Sequence, residues 1–583
     1  MAEKRAWIKT VFTHLGLVVL AAVLFAGSFP NPVAEYGIPF LAWFALIPIF
    51  VLVCRVNLLA SIGWGAIYSY IAYGLFNYWL TAFHPLAGVA VSSVYMFYLA
   101  AVFFALKLAV IYFPRRYYIV FWIIWVAYEY LRTLGFLGYA FGIIGYSQWR
   151  MIPIIQIASL TGVWGVSALV VFPSAWLAGA LKDWRFSTAA VADSLAAAGR
   201  HIQDFFSKEK KAAVAWLAAF AATLGFGLAA DTDFSDYPVA TIALIQPNTD
   251  PWAPSHAETF WQVMAEYRLD FDVLSRLSEE ALAAYPRPQM VVWPETAFVP
   301  RIHWHQTYRT DPASWALVSD LLDFLDRQDV PFVIGNDDGR RDPDLNPNPH
   351  ENFQVNFNAA LLFERSNIIE VYRKIRLVPF TEHFPFRQQF PRIYNFLVNA
   401  DTHFWHSGTE RTVFQGPGFT FSTPICFEDS FGDLSREFVL AGADVLVNLS
   451  NMAWAGSLSS QNQQLKNAVF RAVENRRPMV RSTASGQTAA IDPAGRILAM
   501  APPFEEAWLN AQIPLARRDT LYTRFGDYFG VFFAILAIGL LLFGAAYSIV
   551  NQAGHGKKTI KAKPPRQDER GGRGKENRKK KKR

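Results

Sequence analysis

The sequence predicts an α-helical membrane bundle of about eight spans that carries an extracytoplasmic α/β domain, a layered sandwich with helices outside and sheets inside. Three observations predict it. Hydrophobic residues make up 53% of the 583 residues and charged ones only 17%, with 49 Phe and 19 Trp, a balance that suits a membrane protein with a folded polar part better than a soluble enzyme. Apolar stretches of spanning or near-spanning length crowd the first 234 residues and recur once near the C-terminus. Between them, residues 235–525 alternate short strand-like runs with longer amphipathic patterns. The chain then divides into a seven-helix membrane domain at 1–234, the α/β domain at 235–525, one membrane helix at 526–550 and a basic tail at 551–583.

Seven apolar stretches precede the α/β domain, at 9–28, 38–54, 59–81, 88–112, 117–131, 159–181 and 212–230, and an eighth lies at 528–550. The fifth has no clean stop, because its apolar character runs on through Gly135–Ile144. Charge orients them. Lys4 and Arg5 precede the first stretch, Arg55 follows the second, and Arg115 and Arg116 follow the fourth. Lys182, Arg185, Lys208, Lys210 and Lys211 separate the sixth from the seventh, whereas loops 29–37 and 82–87 hold no Lys or Arg. This alternation fits the positive-inside rule with both termini cytoplasmic, and an odd number of spans delivers residues 235–525 to the opposite face. A cleaved signal peptide ending near Ala26-Gly-Ser28 is the alternative for the first stretch, and it breaks the alternation. The tail, with 14 basic and 3 acidic residues, accounts for all of the net +7 and leaves the rest of the chain at −4. Such a tail suits anionic lipid headgroups on the cytoplasmic side, with RNA as the other polyanion that charge alone permits. No nucleic-acid-binding fold is expected.

Within 235–525, strands are expected at Val239–Ile245, Met290–Trp293, Val330–Gly335, Asn358–Phe363, Ile368–Tyr372, Phe419–Cys426 and Val445–Leu449. Helices are expected at Glu258–Ala284, Ser314–Arg327 and Gln461–Asn475. The run Asp337-Asp-Gly-Arg-Arg-Asp-Pro-Asp-Leu-Asn-Pro-Asn-Pro349 reads as a turn-rich loop without the register of a calcium site. His303 and His305 have no cysteine or acidic partner close in sequence, so no metal is expected. No cofactor is expected either, since a glycine-rich phosphate loop is missing.

The chain has two cysteines. Cys54 ends the apolar run Val-Leu-Val-Cys and reads as an inert intramembrane residue. Cys426 ends the strand-like run Phe-Thr-Phe-Ser-Thr-Pro-Ile, Glu295 follows another, Met-Val-Val-Trp-Pro, and Lys374 follows a third. Two strand ends converging at one sheet edge would bring a carboxylate to the thiol as general base, because the thiolate is the reactive form. Lys374 would face the oxyanion of a tetrahedral intermediate.

Trp293-Pro-Glu295, Tyr372-x-Lys374-x-x-Leu-Val-Pro-Phe-x-Glu382 and Cys426-Phe-Glu-Asp429 together resemble the nitrilase, or carbon–nitrogen hydrolase, superfamily, whose αββα sandwich carries a Glu–Lys–Cys triad. Within it the chain resembles bacterial apolipoprotein N-acyltransferases, on Leu377-Val-Pro-Phe-Thr-Glu382, Arg471–Thr483 with Gly486 and Thr488, Gly145-Tyr-Ser-Gln148 and Gln246-Pro-Asn248. The resemblance implies Glu295 as base, Lys374 as oxyanion stabiliser and Cys426 as nucleophile, supported by Glu382, Glu428 and Trp252. It implies a phospholipid acyl donor, a cysteine thioester, a diacylated apolipoprotein acceptor and residence in the bacterial inner membrane; a monomer is expected. Three positions depart from the family pattern. Phe427 stands where tyrosine is common, Asn451-Met-Ala-Trp454 replaces Asn-Asp-Ala-Trp, and Gly138-Tyr-Ala-Phe-Gly142 replaces Gly-Phe-Pro-Trp.

Aromatic residues crowd the segment after Lys374: Phe384, Phe386, Phe390, Tyr394, Phe396, Phe404 and Trp405. Two explanations compete, a loop dipping into the bilayer to admit lipid and ordinary core packing. Two other functions also remain open: a membrane-tethered amidase that passes the acyl group to water, and a transporter or scaffold whose outer domain only binds. Intramembrane charges would favour a transporter, and few occur. Lys107 and Glu129 are the clearest, with Arg132 one helical turn from Glu129 as its expected partner.

Overall fold

Each of the eight apolar stretches contains helix in the computed structural model, which describes residues 2–83, 87–185, 190–230, 232–250, 259–346, 353–399 and 404–559. Among the described residues six helices are long and apolar enough to cross a bilayer: Lys4–Gly27, Leu58–Phe76, Ala87–Tyr112, Val163–Leu181, Val191–Ala229 and Tyr528–Asn551. The second and fifth stretches give shorter helices. One is Ile47–Arg55, preceded by a 3₁₀ turn at Pro39–Trp43; the other is Tyr117–Leu131, whose 15 residues rise only about 22 Å. Tyr117–Leu131 is apolar because it is surrounded: eleven of its residues are buried, Glu129 among them. The last helix runs on from Tyr528 to Thr559, beyond the expected end at 550.

The α/β part contains two six-stranded sheets. The first holds β1 (Val239–Gln246), β2 (Met290–Val292), β3 (Phe332–Arg341), β4 (Gln354–Glu364), β5 (Asn367–Arg373) and β12 (Ala507–Pro514), in the order β12-β1-β2-β3-β4-β5. The second holds β6 (Phe414–Gln415), β7 (Thr420–Ser422), β8 (Val445–Ser450), β9 (Met479–Thr483), β10 (Ala489–Ile491) and β11 (Ile497–Met500), in the order β11-β10-β9-β8-β7-β6. Strands β1, β2 and β3 run parallel, as do β7, β8 and β9.

Period-two alternation sorts the first sheet's side chains between two cores. Ile242, Leu244, Val292, Val333 and Leu362 face inward, in one cluster with Phe421, Leu446 and Val480 of the second sheet. Ala243, Ile245, Val291, Trp293, Ile334 and Leu361 face outward, against Leu274 and Leu277 of helix Phe260–Ala283 and Leu317 and Leu321 of helix Pro312–Asp326. The fourth layer is helix Leu458–Asn475, on the second sheet. Its amphipathic pattern predicts a solvated polar face, but that face is buried against the membrane bundle. Gln463 donates to the carbonyls of Pro30 and Phe76, Asn462 to that of Glu35, and Arg471 to the Tyr146 hydroxyl. The polar side chains satisfy carbonyls that hydrocarbon would leave unpaired.

Two local expectations are corrected. β3 continues into the segment read as a turn, pairing with β4 as far as Arg341, because buried Asp338 is neutralised by Arg373 at 2.6 Å and hydrogen-bonded to His303; the turn expected there begins only after Arg341. The strand expected at Phe419–Cys426 stops at Ser422, since Pro424 has no N–H to continue the ladder. Only the bridge between Ile425 and Leu449 carries the chain on toward the cysteine.

Candidate active site

Glu295 and Cys426 lie beyond the C-terminal ends of β2 and β7, which belong to the two facing sheets. The expected convergence at one sheet edge is therefore corrected: the residues meet across the sandwich. Gly335 of β3 permits this placement, because a Cβ there would stand 2.2 Å from the Pro294 carbonyl and 2.7 Å from the Glu295 Cα.

Lys374, the residue after β5, is fully buried and lies between two carboxylates. Its Nζ donates to Glu382 Oε1 at 2.7 Å and to Glu295 Oε1 at 3.2 Å. Burial alone would discharge the ammonium, but the charges of Glu295 and Glu382 outweigh it and raise the pKa. Glu295 is fixed at both oxygens: Asn358 Nδ2 donates to Oε1 at 2.8 Å and the Asn451 N–H to Oε2 at 2.9 Å. Glu382 accepts from the Val378 N–H at 2.9 Å. Its pKa is raised, with burial the chief cause and Lys374 opposing.

Cys426 begins a 3₁₀ turn in a left-handed conformation, φ +47°, which a non-glycine residue adopts at a cost of about 1–3 kcal/mol when the surroundings hold it there. Asn448 Nδ2 donates to the Pro424 carbonyl at 2.9 Å and more distantly to that of Cys426 at 3.4 Å. Glu428 completes the clamp. It accepts from the N–H groups of Ile425, Ile375 and Arg376 at 2.7, 2.7 and 2.9 Å, and the Tyr372 hydroxyl bonds it at 2.8 Å. One buried carboxylate thus ties the backbone before the cysteine to the backbone after the lysine. Burial raises its pKa. The Cys426 thiol is pushed up to about 12 by burial and by the nearby Glu295 carboxylate, against the pull of Lys374 and of a hydrogen bond with Ser450. At neutral pH these influences favour the neutral thiol.

Comparison with known proteins matches residues 241–522 to the carbon-nitrogen hydrolase family and residues 21–176 to the apolipoprotein N-acyltransferase N-terminal domain. Apolipoprotein N-acyltransferase 1 of Treponema denticola is 44% identical over 542 residues, covering 91% of this chain and 96% of that protein. The protein of the same name from Treponema pallidum is 44% identical over 549 residues, covering 92% and 96%. The chain belongs to the apolipoprotein N-acyltransferase family. Among solved structures, a carbon-nitrogen hydrolase from Helicobacter pylori G27 aligns with 48% of this chain and 89% of its own, at 15% identity and a TM-score of 0.33.

In this N-acyltransferase family member, the membrane part reaches the cysteine loop. Phe427 stacks on Phe141 of the Gly138–Gly142 stretch, with planes 6° apart and centroids at 6.2 Å. Two departures from the family pattern thus pack against each other. Trp79 lies against Phe141 and against Trp454 beside the third departure, buried Met452.

The aromatic segment splits. Phe384 and Trp405 are buried, and Trp405 Nε1 donates to Asp337 at 3.0 Å, so core packing accounts for both. Tyr394 stacks on Phe404 at 5.4 Å. Phe386, Phe390 and Phe396 are 43%, 53% and 59% exposed, and Phe136 from the membrane part rests on Phe380 and Phe386. Trp252 lies outside the described residues, as does the basic tail from residue 560 onward.

Glu129 and Arg132 form no ion pair among the described residues. Glu129 instead accepts from the Ile144 N–H at 2.9 Å and the Ser167 hydroxyl at 2.6 Å, while Arg132 lies among the rings of Tyr73, Tyr95 and Tyr128. Arg132 Nη1 donates to the Tyr95 hydroxyl at 2.7 Å. Asn358 and the Asn451 backbone N–H are site groups that sequence reasoning does not single out. An inward-facing asparagine at the start of an apolar strand is the available signal for Asn358; a backbone N–H carries none.

Proposed function

We propose that the protein moves an acyl chain from a phospholipid to the N-terminal amine of a diacylglyceryl-cysteine apolipoprotein, through a thioester on Cys426. The single observation that carries this reading is likeness along more than nine-tenths of the chain, membrane part included, to proteins named apolipoprotein N-acyltransferase. A membrane-tethered amidase would account for the carbon–nitrogen hydrolase domain and leave the match at residues 21–176 unexplained.

The arrangement of Glu295, Lys374 and Cys426 supports this chemistry. Glu295 takes the thiol proton as sulfur attacks the ester carbonyl carbon, and Lys374 faces the oxyanion. The intermediate collapses with cleavage of the C–O bond, Glu295 returns the proton to the departing alkoxide, and a lysophospholipid leaves. In the second half-reaction the acceptor amine attacks the thioester carbonyl and loses a proton to Glu295. The C–S bond breaks, sulfur regains the proton, and an amide remains. A neutral resting thiol suits this sequence, because the base is needed in both halves. Glu382 keeps Lys374 charged and aimed, and Glu428 holds the loops that carry Lys374 and Cys426.

In this reading residues 1–234 and 526–550 are the membrane domain, and both termini are cytoplasmic. Residues 235–525 lie on the extracytoplasmic face of the inner membrane, where both substrates are anchored. The exposed rings of Phe386, Phe390 and Phe396, the first of them against Phe136 of the membrane part, favour lipid access there.

The test is intact-mass analysis of the full chain after incubation with phospholipid. Wild type gains one acyl group, which hydroxylamine or a diacylated peptide amine removes; Cys426→Ser gains none under the same conditions. Folded wild type that gains no acyl group overturns the reading and makes small amides the next substrates to try.

A further inference from the structure

A cavity of about 400 Å³ lies at the end of the bundle away from the α/β domain, lined by Arg55, Lys182, Arg185, Asp183, Tyr117 and Cys54 among others. Its position follows from helix Val163–Leu181. That helix meets the domain at its first residue, whose N–H donates to Glu474, and Lys182 follows its last residue, about 28 Å away. The volume lies within the ~300–1,000 Å³ range of small-molecule sites.

The walls are basic, with three cations to one carboxylate in the lining. Among the described residues, none of Arg55, Lys182, Arg185 and neighbouring Lys107 forms an ion pair. Asp183 is the single acid in the lining, and Arg55 feels both its attraction and the repulsion of Arg185. Arg55 is held in place: Nε donates to the Lys182 carbonyl at 2.8 Å, and Nη2 to the carbonyls of Leu181 and Trp184. The Lys182 ammonium lies 5.8 Å from the centroid of the Tyr117 ring. Lys107 donates to the Val53 and Cys54 carbonyls and adds charge beside the cavity.

Converging cations around a concave space at a bundle end call for an anion, and at that depth the abundant one is a lipid phosphate. We infer that this cavity binds a phosphate group presented by the headgroup of an anionic lipid. The site is separate from the acyl-transfer centre, and the bound lipid is a resident of the far leaflet, not a substrate.

Native mass spectrometry of the full chain in detergent tests the inference, with phosphatidylglycerol and phosphatidylcholine as probes and inorganic phosphate as competitor. Wild type retains phosphatidylglycerol in preference to phosphatidylcholine. Lys182→Gln/Arg185→Gln weakens retention about 30-fold, and Arg185→Gln alone, at an exposed position, about 5-fold should the double variant fail to fold. Lys208→Gln/Lys210→Gln/Lys211→Gln, which removes exposed charge outside the cavity lining, leaves retention within about 2-fold. Displacement by millimolar inorganic phosphate assigns the same site to soluble phosphate instead of lipid. Equal retention in wild type and the cavity variants overturns the inference, as does an equal loss in the Lys208/Lys210/Lys211 variant.

Discussion

Alkylation of Cys426 by iodoacetamide reports how its proton is held. Burial and the Glu295 charge push the thiol up to about 12, so at pH 8 roughly one molecule in 10⁴ carries a thiolate, against about one in four for an ordinary cysteine near 8.5. A more basic thiolate is a better nucleophile, with a Brønsted slope of about 0.4–0.5, which restores about 40-fold of that deficit. The net expectation is alkylation about 60-fold slower at pH 8 than at an unperturbed thiol. Peptide-level mass spectrometry reads Cys426 apart from Cys54. The rate should climb about tenfold per pH unit from pH 6 to 10 without a plateau. Glu295→Gln removes a negative charge beside the sulfur, so its pKa falls and alkylation at pH 8 becomes faster than in wild type. Acyl transfer by the same variant should drop about 10²–10⁴-fold through loss of the base. An inflection near pH 7 in wild type would refute the reasoning, because it would mean a preformed thiolate paired with Lys374. Linkage sets a companion sign. The unfolded thiol ionises near 8.5 and the folded one near 12, so the folded state binds more protons between them and this group's contribution to stability declines as pH rises above about 8.5.

Glu382→Gln replaces a charged hydrogen bond to Lys374 with a neutral one, and single-turnover acylation should slow about 10–100-fold, in line with the ~1.5–3 kcal/mol of a charged bond; an unchanged rate would remove Glu382 from the mechanism. Serine at Phe386, Phe390 and Phe396 should leave the melting temperature near that of wild type while lowering turnover of bilayer phospholipid several-fold, because these rings are solvent-facing. Phe384→Ala, at a buried position, should instead destabilise by about 3–5 kcal/mol in denaturant titration. Arg481→Met leaves the buried Asp429 carboxylate without its 2.7 Å partner and should cost about 3–5 kcal/mol, measured the same way.

Much of the α/β domain was legible from local pattern. β1, β2, β4, β5 and β8 lie within a few residues of their expected places, since each is a short apolar run bounded by turn residues. The strands from Met479 to Pro514 escaped notice because three of them are only three to five residues long and interleave with Gly, Pro and Ser. Arg481 and Ser482 break the apolar pattern of β9, yet both are buried and partnered, by Asp429 and by the Ile245 and Val292 carbonyls.

By itself the sequence determined the residue types of the site, the segments that carry them, the apolar helices and the family, because each is a local matter of chemistry, periodicity or motif. Only the tertiary structure decided that Glu295 and Cys426 face each other from opposing sheets and that Glu428 binds backbone near both Lys374 and Cys426. It also decided that the polar face of helix Leu458–Asn475 meets the membrane bundle, and that Phe384 and Trp405 turn inward while Phe386 and Phe390 turn outward. These outcomes depend on partners up to several hundred residues away. A carboxylate, an amide or an aromatic ring has the same local signature whether water, a carbonyl or another ring satisfies it.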